Sequence, residues 1–437
     1  YTDADLTALG QVKETDLTVK NNCSIGGAVY GGGDESSVNE HTLVKIQNEG
    51  GSNMIPNVYG GGNTADVDGN TEVHMMNGTV SNDIYGGGRG ETTKVGGDVM
   101  VNIGGKTGEA PSISYSGTGL VEGDVYGGSA LGAVNTTDGK TTTVNVYGGT
   151  VNGSVFGGGL GQVAVAADPE HGIEAKTAIV ALSQGDVIVN VERGEVKTAV
   201  YGGSNVNGVL KQDATVTLIG GTIGTERAAD AAVQNVVFGG GKGEPTLVNG
   251  NVTVNVGTKS DAETPVYTGA ATIHGNVYGG SALGNTNKTS SSDKEEYHAD
   301  KNTNVYLYGG EIDGNVFGGG LGQKTGVNGA TSDIESFVGG NVNILLDGAK
   351  FSQSFTGEGE NRMPLTAQIF GANNLNGTPK GHVKVQVERT VNTDVEKNAL
   401  KENPETALEA RTTYDVTAVY GGGNQANYIP ADALLDP

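Results

Sequence analysis

One short pattern recurs along the whole chain: an aliphatic residue, an aromatic residue, glycine, and then small residues. Residues 151–159 (VNGSVFGGG) show it in full. The aromatic residue falls at eleven places that lie 26 to 53 residues apart, namely Tyr30, Tyr59, Tyr85, Tyr126, Phe156, Tyr201, Phe238, Tyr278, Phe317, Phe370 and Tyr420. Self-similarity of this kind is typical of repeat architectures. We therefore expect the length of 437 residues to reflect the number of repeats rather than the number of globular domains.

Between the glycine corners lie short segments in which aliphatic and polar residues alternate. In residues 143–147, Val144 and Val146 share one face and Asn145 lies on the other, and similar alternation is found at 98–105, 186–191, 214–221, 251–256, 341–346 and 382–387. Each segment predicts a strand with one buried row. Since glycine rather than helices links these strands, successive turns must cover each other's apolar rows. This predicts an all-β fold, a parallel β-helix (β-solenoid) of about eleven Gly-rich coils with loop inserts.

The eleven aromatic residues are predicted to form a structural ladder. Parallel coils stack about 4.8 Å apart, so residues in the same slot of successive coils lie above one another. Four of the eleven slots hold phenylalanine, which has no hydroxyl group. The slot therefore favours packing between rings over recognition of a ligand.

A larger repeat lies above the small one. Residues 84–91 recur as 237–244, residues 125–132 as 277–284, and residues 155–162 as 316–323. Four small units therefore make a module, and the module is duplicated. We expect an N-terminal cap or exchanged strand at 1–24, a continuous solenoid at 25–426 with modules at about 59–200, 201–369 and 370–426, and a C-terminal tail or cap at 427–437.

The variable spacing between units comes from inserts, at 163–184, 224–235, 258–272, 285–302, 324–338, 351–366 and 391–413. Most are predicted to be polar loops. By composition, residues 226–234 and 402–411 are predicted to be partly helical. Inserts of this kind decorate one side of a solenoid and often carry specific function.

Composition excludes several other classes. The 76 glycines do not fall at every third position, as collagen requires, and a net charge of −24 opposes binding to nucleic acid. Cys23 is the single cysteine and forms no internal disulfide. No apolar run reaches the length of a membrane-spanning helix, so no direct membrane span is expected in this segment. The way the chain begins and ends suggests a mature or proteolysed segment of a longer protein.

Residues that suit catalysis or metal binding are scattered. Asp66, Asp68 and Glu72 are the candidate ligands for an oxygen-coordinated cation such as Ca²⁺, but a polar turn is the favoured interpretation, so no cofactor is predicted. Only Asp34 follows a glycine triplet as the calcium-binding nonapeptide requires, and no triplet ends in the Lys-Ser/Thr of a phosphate loop. The carboxylates and the six histidines are not grouped as glycoside cleavage or metal binding would need. We therefore predict that the chain is not an enzyme.

With its Gly-rich coils and its outward rows of Asn and Thr, the chain resembles the β-helical stalks of large bacterial surface adhesins, such as autotransporter passengers and filamentous-haemagglutinin-like proteins. The resemblance implies export, a rigid rod, and attachment to a host or bacterial glycan or surface protein. We expect an extracellular or cell-surface structural rod. One alternative is a filament subunit that self-associates end to end through solenoid edges or a donated terminal strand. Another is a β-helix that binds or cleaves polysaccharide.

Overall fold

The computed structural model describes residues 12–48, 54–109, 112–228, 231–357, 363–390 and 416–435. The chain divides into two compact units, the first comprising residues 1–190 and 202–214 and the second residues 191–201 and 215–437. Nearly all regular structure in the described residues is β-strand, and neighbouring strands of the large sheets in each unit pair in parallel. This confirms the predicted parallel β-solenoid.

One turn of the chain has three sides. In a representative coil, Thr71–Asn77 forms a long side, Thr79–Val80 a short side and Ile84–Tyr85 an aromatic side. Each side pairs with the same side of the next coil, so Val73 lies opposite Val101, Val80 opposite Val121, and Tyr85 opposite Tyr126. The coil is therefore the repeating unit that the sequence pattern predicts.

The first unit contains the following strands. Its long sides are Val12–Lys20, Val38–Gln47, Thr71–Asn77, Val99–Ile103, Thr141–Val146 and Asp186–Val191, the last of which ends at the boundary with the second unit. Its short sides are Met54–Ile55, Thr79–Val80, Leu120–Val121 and Thr150–Val151. Its aromatic sides are Ala28–Tyr30, Asn57–Tyr59, Ile84–Tyr85, Val125–Tyr126 and Val155–Phe156, and its corner strands are Ala133–Val134, Ala181–Ser183 and Gly208–Leu210.

The second unit repeats the plan. Its long sides are Ala214–Leu218, which begins at the boundary, Val252–Val256, Asn302–Leu307, Asn341–Asp347 and Val383–Arg389. Its short sides are Glu195–Val196, Thr222–Ile223, Thr272–Ile273, Glu311–Ile312 and Lys350–Phe351. Its aromatic sides are Val200–Tyr201, Asn235–Phe238, Asn276–Tyr278, Val316–Phe317, Gln368–Phe370 and Ala418–Tyr420, and its corner strands are Leu247–Val248 and Asn285–Thr286.

Alternation along the long sides places the aliphatic row inside each unit. In Thr71–Asn77, Val73 and Met75 are fully buried, while their neighbours Glu72, His74 and Met76 are only half-buried. Complete burial of a side chain of this size contributes about 1.5–3 kcal/mol relative to an exposed one. The core of each unit is thus a stack of aliphatic rows, which is why a coil cannot be stable without a neighbour.

The polar row of the long side forms a second ladder. In the first unit the amide of Asn190 donates to the side-chain oxygen of Asn145 at 2.9 Å, and the amide of Asn145 donates to that of Asn102 at 2.8 Å. In the second unit Asn343 donates to Asn304 at 3.0 Å. Identical amides one coil apart satisfy each other, because each has both a donor and an acceptor.

The aromatic slots form stacks of nearly parallel rings. In the first unit, neighbouring ring centroids from Tyr30 to Phe156 lie 4.8–5.0 Å apart with interplanar angles of 4–7°. In the second unit, those from Tyr201 to Tyr420 lie 4.7–5.0 Å apart with angles of 5–11°. Five rings stack in the first unit and six in the second, and their spacing equals the spacing of the coils.

The inserts contain more β-structure than expected. Within the inserts, antiparallel pairs join Thr258–Lys259 to Tyr267–Thr268 and Phe355–Thr356 to Met363–Pro364. Another antiparallel pair, Gly105–Thr107 with Ser114–Ser116, lies outside the predicted inserts. The helical prediction for residues 226–234 is wrong, because the described residues of this segment are irregular. A helix this short is marginal without a packing face, and here the Arg227 guanidinium donates to the carbonyl oxygens of Ala228 and Ala231. Residues 402–411 lie outside the described residues.

Both terminal segments contact the solenoid. Val12–Lys20 pairs in parallel with Val38–Gln47 as one more long side, with Leu17 exposed and Val19 buried. At the other end, the hydroxyl of Tyr428 donates to the carbonyl of Gly381, and a 3₁₀ turn follows at Asp432–Leu434. The cap and exchanged-strand interpretations of residues 1–24 and 427–437 stay predictions.

Candidate functional site

The corner that follows each aromatic side is the part of the coil with the most specific side-chain contacts. After the glycines, the chain in the first unit places Arg89, Ala130, Leu160 and Asn205 in one slot of consecutive coils, joined by parallel bridges. This slot is apolar in two coils and polar in the other two. The same slot of the corner can therefore carry a charged, an apolar or an amide side chain without a change in the fold of the coil.

Asn205 joins coils that are not adjacent. Its amide nitrogen donates to the hydroxyl oxygen of Tyr126 at 2.9 Å, and the same hydroxyl donates to the Asp124 carboxylate at 2.9 Å. The coil between them carries Phe156, whose ring stacks on Tyr126. Because phenylalanine has no hydroxyl, the bond from Asn205 reaches past it to the tyrosine below. Burial and the nearby Asp124 charge raise the pKa of Tyr126 well above its usual value, although the hydrogen bond from Asn205 opposes the shift.

The same arrangement recurs in the second unit. The amide of Asn374 donates to the hydroxyl of Tyr278 at 2.7 Å, and the coil between them carries Phe317. Tyr278 in turn donates to the side-chain oxygen of Asn235 at 2.7 Å. The contact from the start of one module back to the module before it thus recurs, with partners that lie 79 residues apart in the first case and 96 in the second.

Other buried polar contacts recur between the copies. The backbone N–H groups of Gly88 and Gly241 each donate to a serine hydroxyl, of Ser129 and Ser281 respectively, at 3.1 Å. The hydroxyls of Thr142 and Thr303 each donate at 2.7 Å to an asparagine, Asn135 and Asn287 respectively. Both asparagines have left-handed backbones, with φ of 56° and 54°, a conformation that asparagine tolerates better than most residues.

A groove lies on the outer surface of this corner in the first unit, and we call it the corner groove. Its volume is about 390 Å³, and its floor includes Leu131, Leu160 and Val206. One wall is a hairpin of the insert, in which Val165 and Lys176 exchange backbone hydrogen bonds at 2.9 Å. The volume falls in the range of small-molecule sites, which is about 300–1,000 Å³.

Two floor residues have strained backbones. Leu131 has φ of 75° and Val206 has φ of 65°, both in the left-handed region. For a β-branched residue such as valine this conformation is an outlier, and it costs of order 1–3 kcal/mol. The stacked corner holds Leu131 there, since its N–H donates to the Leu160 carbonyl at 2.8 Å. The turn at Val206 is closed by the Asn207 N–H, which donates to the Asn205 carbonyl at 2.8 Å. Leu283, which matches Leu131 in the second unit, has φ of 72°.

The rim of the corner groove is basic. Arg89 and Lys176 are exposed, and neither forms an ion pair with any carboxylate in the part of the chain that the structure describes. The Arg89 guanidinium is held by the Tyr30 hydroxyl at 3.4 Å and by the Asn63 oxygen at 3.2 Å. Tyr59 also lines the groove and is 6% exposed. Its hydroxyl has no hydrogen-bond partner among the described residues, and burial raises its pKa to about 12.

The sequence contained part of this site. Arg89 and its counterpart Lys242 both lie in the repeated unit that defines the module, and Gln162 and Gln323 match in the same way. The groove itself was missed because its wall lies in an insert that was predicted to be a polar loop. The apolar run Val163, Ala164 and Val165, with Ile179 later in the same insert, is the signal that could have revealed the hairpin. In the structure Gln162 lies opposite Ile179 and Val165 opposite Lys176.

The candidate cation ligands have other contacts. Asp66 accepts the backbone N–H of Lys94 at 2.8 Å, and Glu72 bonds to the His74 ring. That hydrogen bond lowers the pKa of Glu72, although burial opposes the shift. Asp68 lies two residues beyond Asp66, before the strand that holds Glu72. Among the described residues no group of three or more His, Cys, Asp or Glu side chains is arranged to hold a metal ion.

Two further ionic clusters hold inserts of the second unit in place. Asp347, 5% exposed in its side chain, accepts from Lys259 at 2.9 Å, from Tyr267 at 2.8 Å and from Arg389 at 3.1 Å. Burial opposes ionisation of Asp347, but these hydrogen bonds and the Arg389 charge prevail and lower its pKa. The Arg389 guanidinium lies 3.9 Å from the centroid of the Tyr267 ring.

The second cluster surrounds Phe337. The amines of Lys288 and Lys380 lie 5.3 and 5.8 Å from the centroid of its ring. Lys288 is fully buried and its amine donates to the Asp293 carbonyl, while Lys380 contacts both oxygens of Glu295 at 2.9 and 3.0 Å. The desolvation caused by burial lowers the pKa of Lys288.

The fold defines the chain as a parallel β-solenoid repeat protein. Comparisons with protein-family models, with curated proteins and with solved structures each find no match to it. In the described ranges, no helix combines the length and the apolar character needed to cross a membrane.

Proposed function

We propose that this chain is a non-enzymatic structural rod, a stalk of the kind found in secreted or surface-displayed bacterial adhesins. The observation that carries the proposal is the recurrence of the Asn205–Tyr126 contact as Asn374–Tyr278. The module repeats its contacts between coils, although its inserts differ in length and sequence. Each copy of the module therefore adds more stacked coils. The net charge of −24 supports solubility outside a membrane.

The side surfaces support the same proposal. Stacked rings and asparagine ladders join successive coils within each unit. The amide groups of these asparagines form hydrogen bonds with the neighbouring coils. Such a surface is regular along the coils and is interrupted only by inserts, which are the places where a glycan or a surface protein would be recognised.

The test is to insert a second copy of residues 59–200 after residue 200. Because four more coils at about 4.8 Å each are added, small-angle scattering should give a maximum dimension larger by about 19 Å with an unchanged cross-section. A larger cross-section at constant length would contradict the proposal. Carbohydrate cleavage, measured as new reducing ends on a panel of polysaccharides, would contradict the non-enzymatic part and favour the polysaccharide alternative.

End-to-end assembly is a second candidate function, and exposed apolar residues on the coil of Tyr420 favour it. Val419 and Tyr420 are 43% and 44% exposed, whereas Phe370 in the preceding coil is 5% exposed. On the last long side, Val387 is 41% exposed. An exposed parallel edge with apolar residues is a template for pairing with another chain. Negative-stain images separate the two functions, since short discrete rods favour the stalk and long fibres favour the filament.

A further inference from the structure

We propose that the corner groove of the first unit binds an aliphatic carboxylate, meaning a ligand with a single carboxylate joined to a saturated hydrocarbon body. This goes beyond the proposed rod function and does not depend on it. The ligand class follows from the lining, which is apolar along its floor and cationic at its rim.

The apolar part of the groove is already accessible. Val163 is 42% exposed, and Leu131, Leu160 and Val206 are each half-buried at the floor. An aliphatic body lying on these side chains would remove their apolar surface from water, which is favourable in proportion to the area covered. Leu131 and Val206, whose backbones are left-handed, both line the groove.

The cationic part has donors without carboxylate partners. In a chain that carries 50 acidic and 26 basic residues, Arg89 and Lys176 line one groove and neither is ion-paired within the described residues. A ligand carboxylate would supply the missing partner, and its hydrogen bonds to cations are stronger than neutral ones.

Tyr59 supplies a further donor to the groove. The residue is 6% exposed and lines the groove, and its hydroxyl has no hydrogen-bond partner among the described residues. The hydroxyl oxygen is not one of the buried unpaired side-chain atoms, so it opens toward the groove. The hydroxyl can donate to the same carboxylate that the Arg89 guanidinium binds. The contact of Arg89 with the Tyr30 hydroxyl holds the guanidinium on this side of the solenoid.

The ligand would be probed by isothermal titration of the full chain with octanoate, 1-octanol and glucuronate at low ionic strength. We expect octanoate to bind at least tenfold more tightly than the other two, and its affinity to fall as salt is added. Equal binding of octanol would refute the role of the cations, and equal or tighter binding of glucuronate would refute the aliphatic class. No binding of octanoate would overturn the proposal.

Variants locate the site. Lys176→Gln on the exposed hairpin and Arg89→Gln should each weaken octanoate binding by about tenfold, because each removes a charged partner. Tyr59→Phe should weaken it by about threefold, which is less because one neutral donor is lost. Lys211→Gln, an exposed lysine of the same unit that does not line the groove, should leave the affinity unchanged. Octanoate binding that survives Lys176→Gln and Arg89→Gln in chains with unaltered thermal unfolding would place the ligand elsewhere and refute the assignment.

Discussion

The amide of Asn205 donates to the hydroxyl of Tyr126 across an intervening coil, at 2.9 Å. Side chains in a solenoid usually contact only the coils directly above and below, and this contact reaches one coil further because the intermediate ring is Phe156. It couples three coils through one hydrogen bond and one ring stack. The relationship lets the contribution of a single bond between coils be measured.

We predict that Asn205→Ala and Tyr126→Phe each lower the free energy of unfolding by about 1–3 kcal/mol, because each leaves a buried polar partner unsatisfied. The double variant should cost about 1 kcal/mol less than the sum of the single ones. Urea denaturation measures all three. Tyr85→Phe combined with Asn205→Ala is the control and should be additive, since the Tyr85 hydroxyl bonds to Asp83 instead. Additivity in the Asn205–Tyr126 pair as well would mean that the bond contributes nothing.

Glu296 gives a prediction about pH. Burial opposes its ionisation, yet hydrogen bonds from Thr289, Ser290 and His298 lower its pKa from 4.5 to about 2. Its folded pKa is below the unfolded one, so the stability it contributes, about 3 kcal/mol, is present above pH 4.5 and is lost as the pH falls toward 2.

Glu296→Gln should therefore be less stable than the parent chain at pH 7, and the difference should shrink between pH 4.5 and pH 2. The measurement is thermal unfolding at a series of pH values. Glu91→Gln, at an exposed position, is the control and should show no such convergence. A Glu296→Gln difference that stays constant across this range would show that the carboxylate is not what stabilises the insert.

Lys288 is fully buried, and we predict that Lys288→Met is neutral or raises the free energy of unfolding by about 1 kcal/mol. Methionine has a similar shape and does not require a charge to be desolvated. Burial lowers the pKa of Lys288 in the folded chain below its pKa in the unfolded chain. The parent chain therefore becomes more stable as the pH rises from the folded pKa to the unfolded pKa. The advantage of the methionine variant should consequently fall toward pH 10. The measurement is urea denaturation of both chains at pH 7 and pH 10, and Lys211→Met is the control at an exposed position. If Lys288→Met lowered the free energy of unfolding by more than about 1 kcal/mol at pH 7, the prediction would be contradicted.

The sequence predicts the solenoid because the coil is a local pattern. The alternation of Val144, Asn145 and Val146 is enough to assign a strand, and the aromatic residue with its glycines is enough to assign a corner. The equal spacing of the stacked rings from Tyr30 to Phe156 follows from these local rules. The duplicated module was also recognisable, and the recurring contacts of Ser129 and Ser281 lie within it.

What the sequence did not predict depends on residues that are far apart in the chain. Asn205 and Tyr126 are 79 residues apart, and nothing local pairs them. The corner groove needs a hairpin from an insert to lie against a corner, and the burial of Lys288 needs the ring of Phe337 from another insert. Inserts follow no period, so their β-pairs were mistaken for loops, and the helical pattern of residues 226–234 was outweighed by the contacts of Arg227.

The central claim is that, within each compact unit, each aromatic-glycine pattern is one coil lying directly on the next. Gly371 and Gly421 test it most directly. These two glycines occupy the same slot of two successive coils, and neither has a left-handed backbone. A Cβ on Gly371 would lie 2.4 Å from the Gly421 carbonyl oxygen. A Cβ on Gly421 would meet no atom within 4 Å. We therefore expect Gly371→Ala to lower the free energy of unfolding by about 3 kcal/mol and Gly421→Ala to leave it unchanged. The measurement is urea denaturation of the two variants beside the parent chain. Equal effects of the two substitutions would contradict the stacked coils.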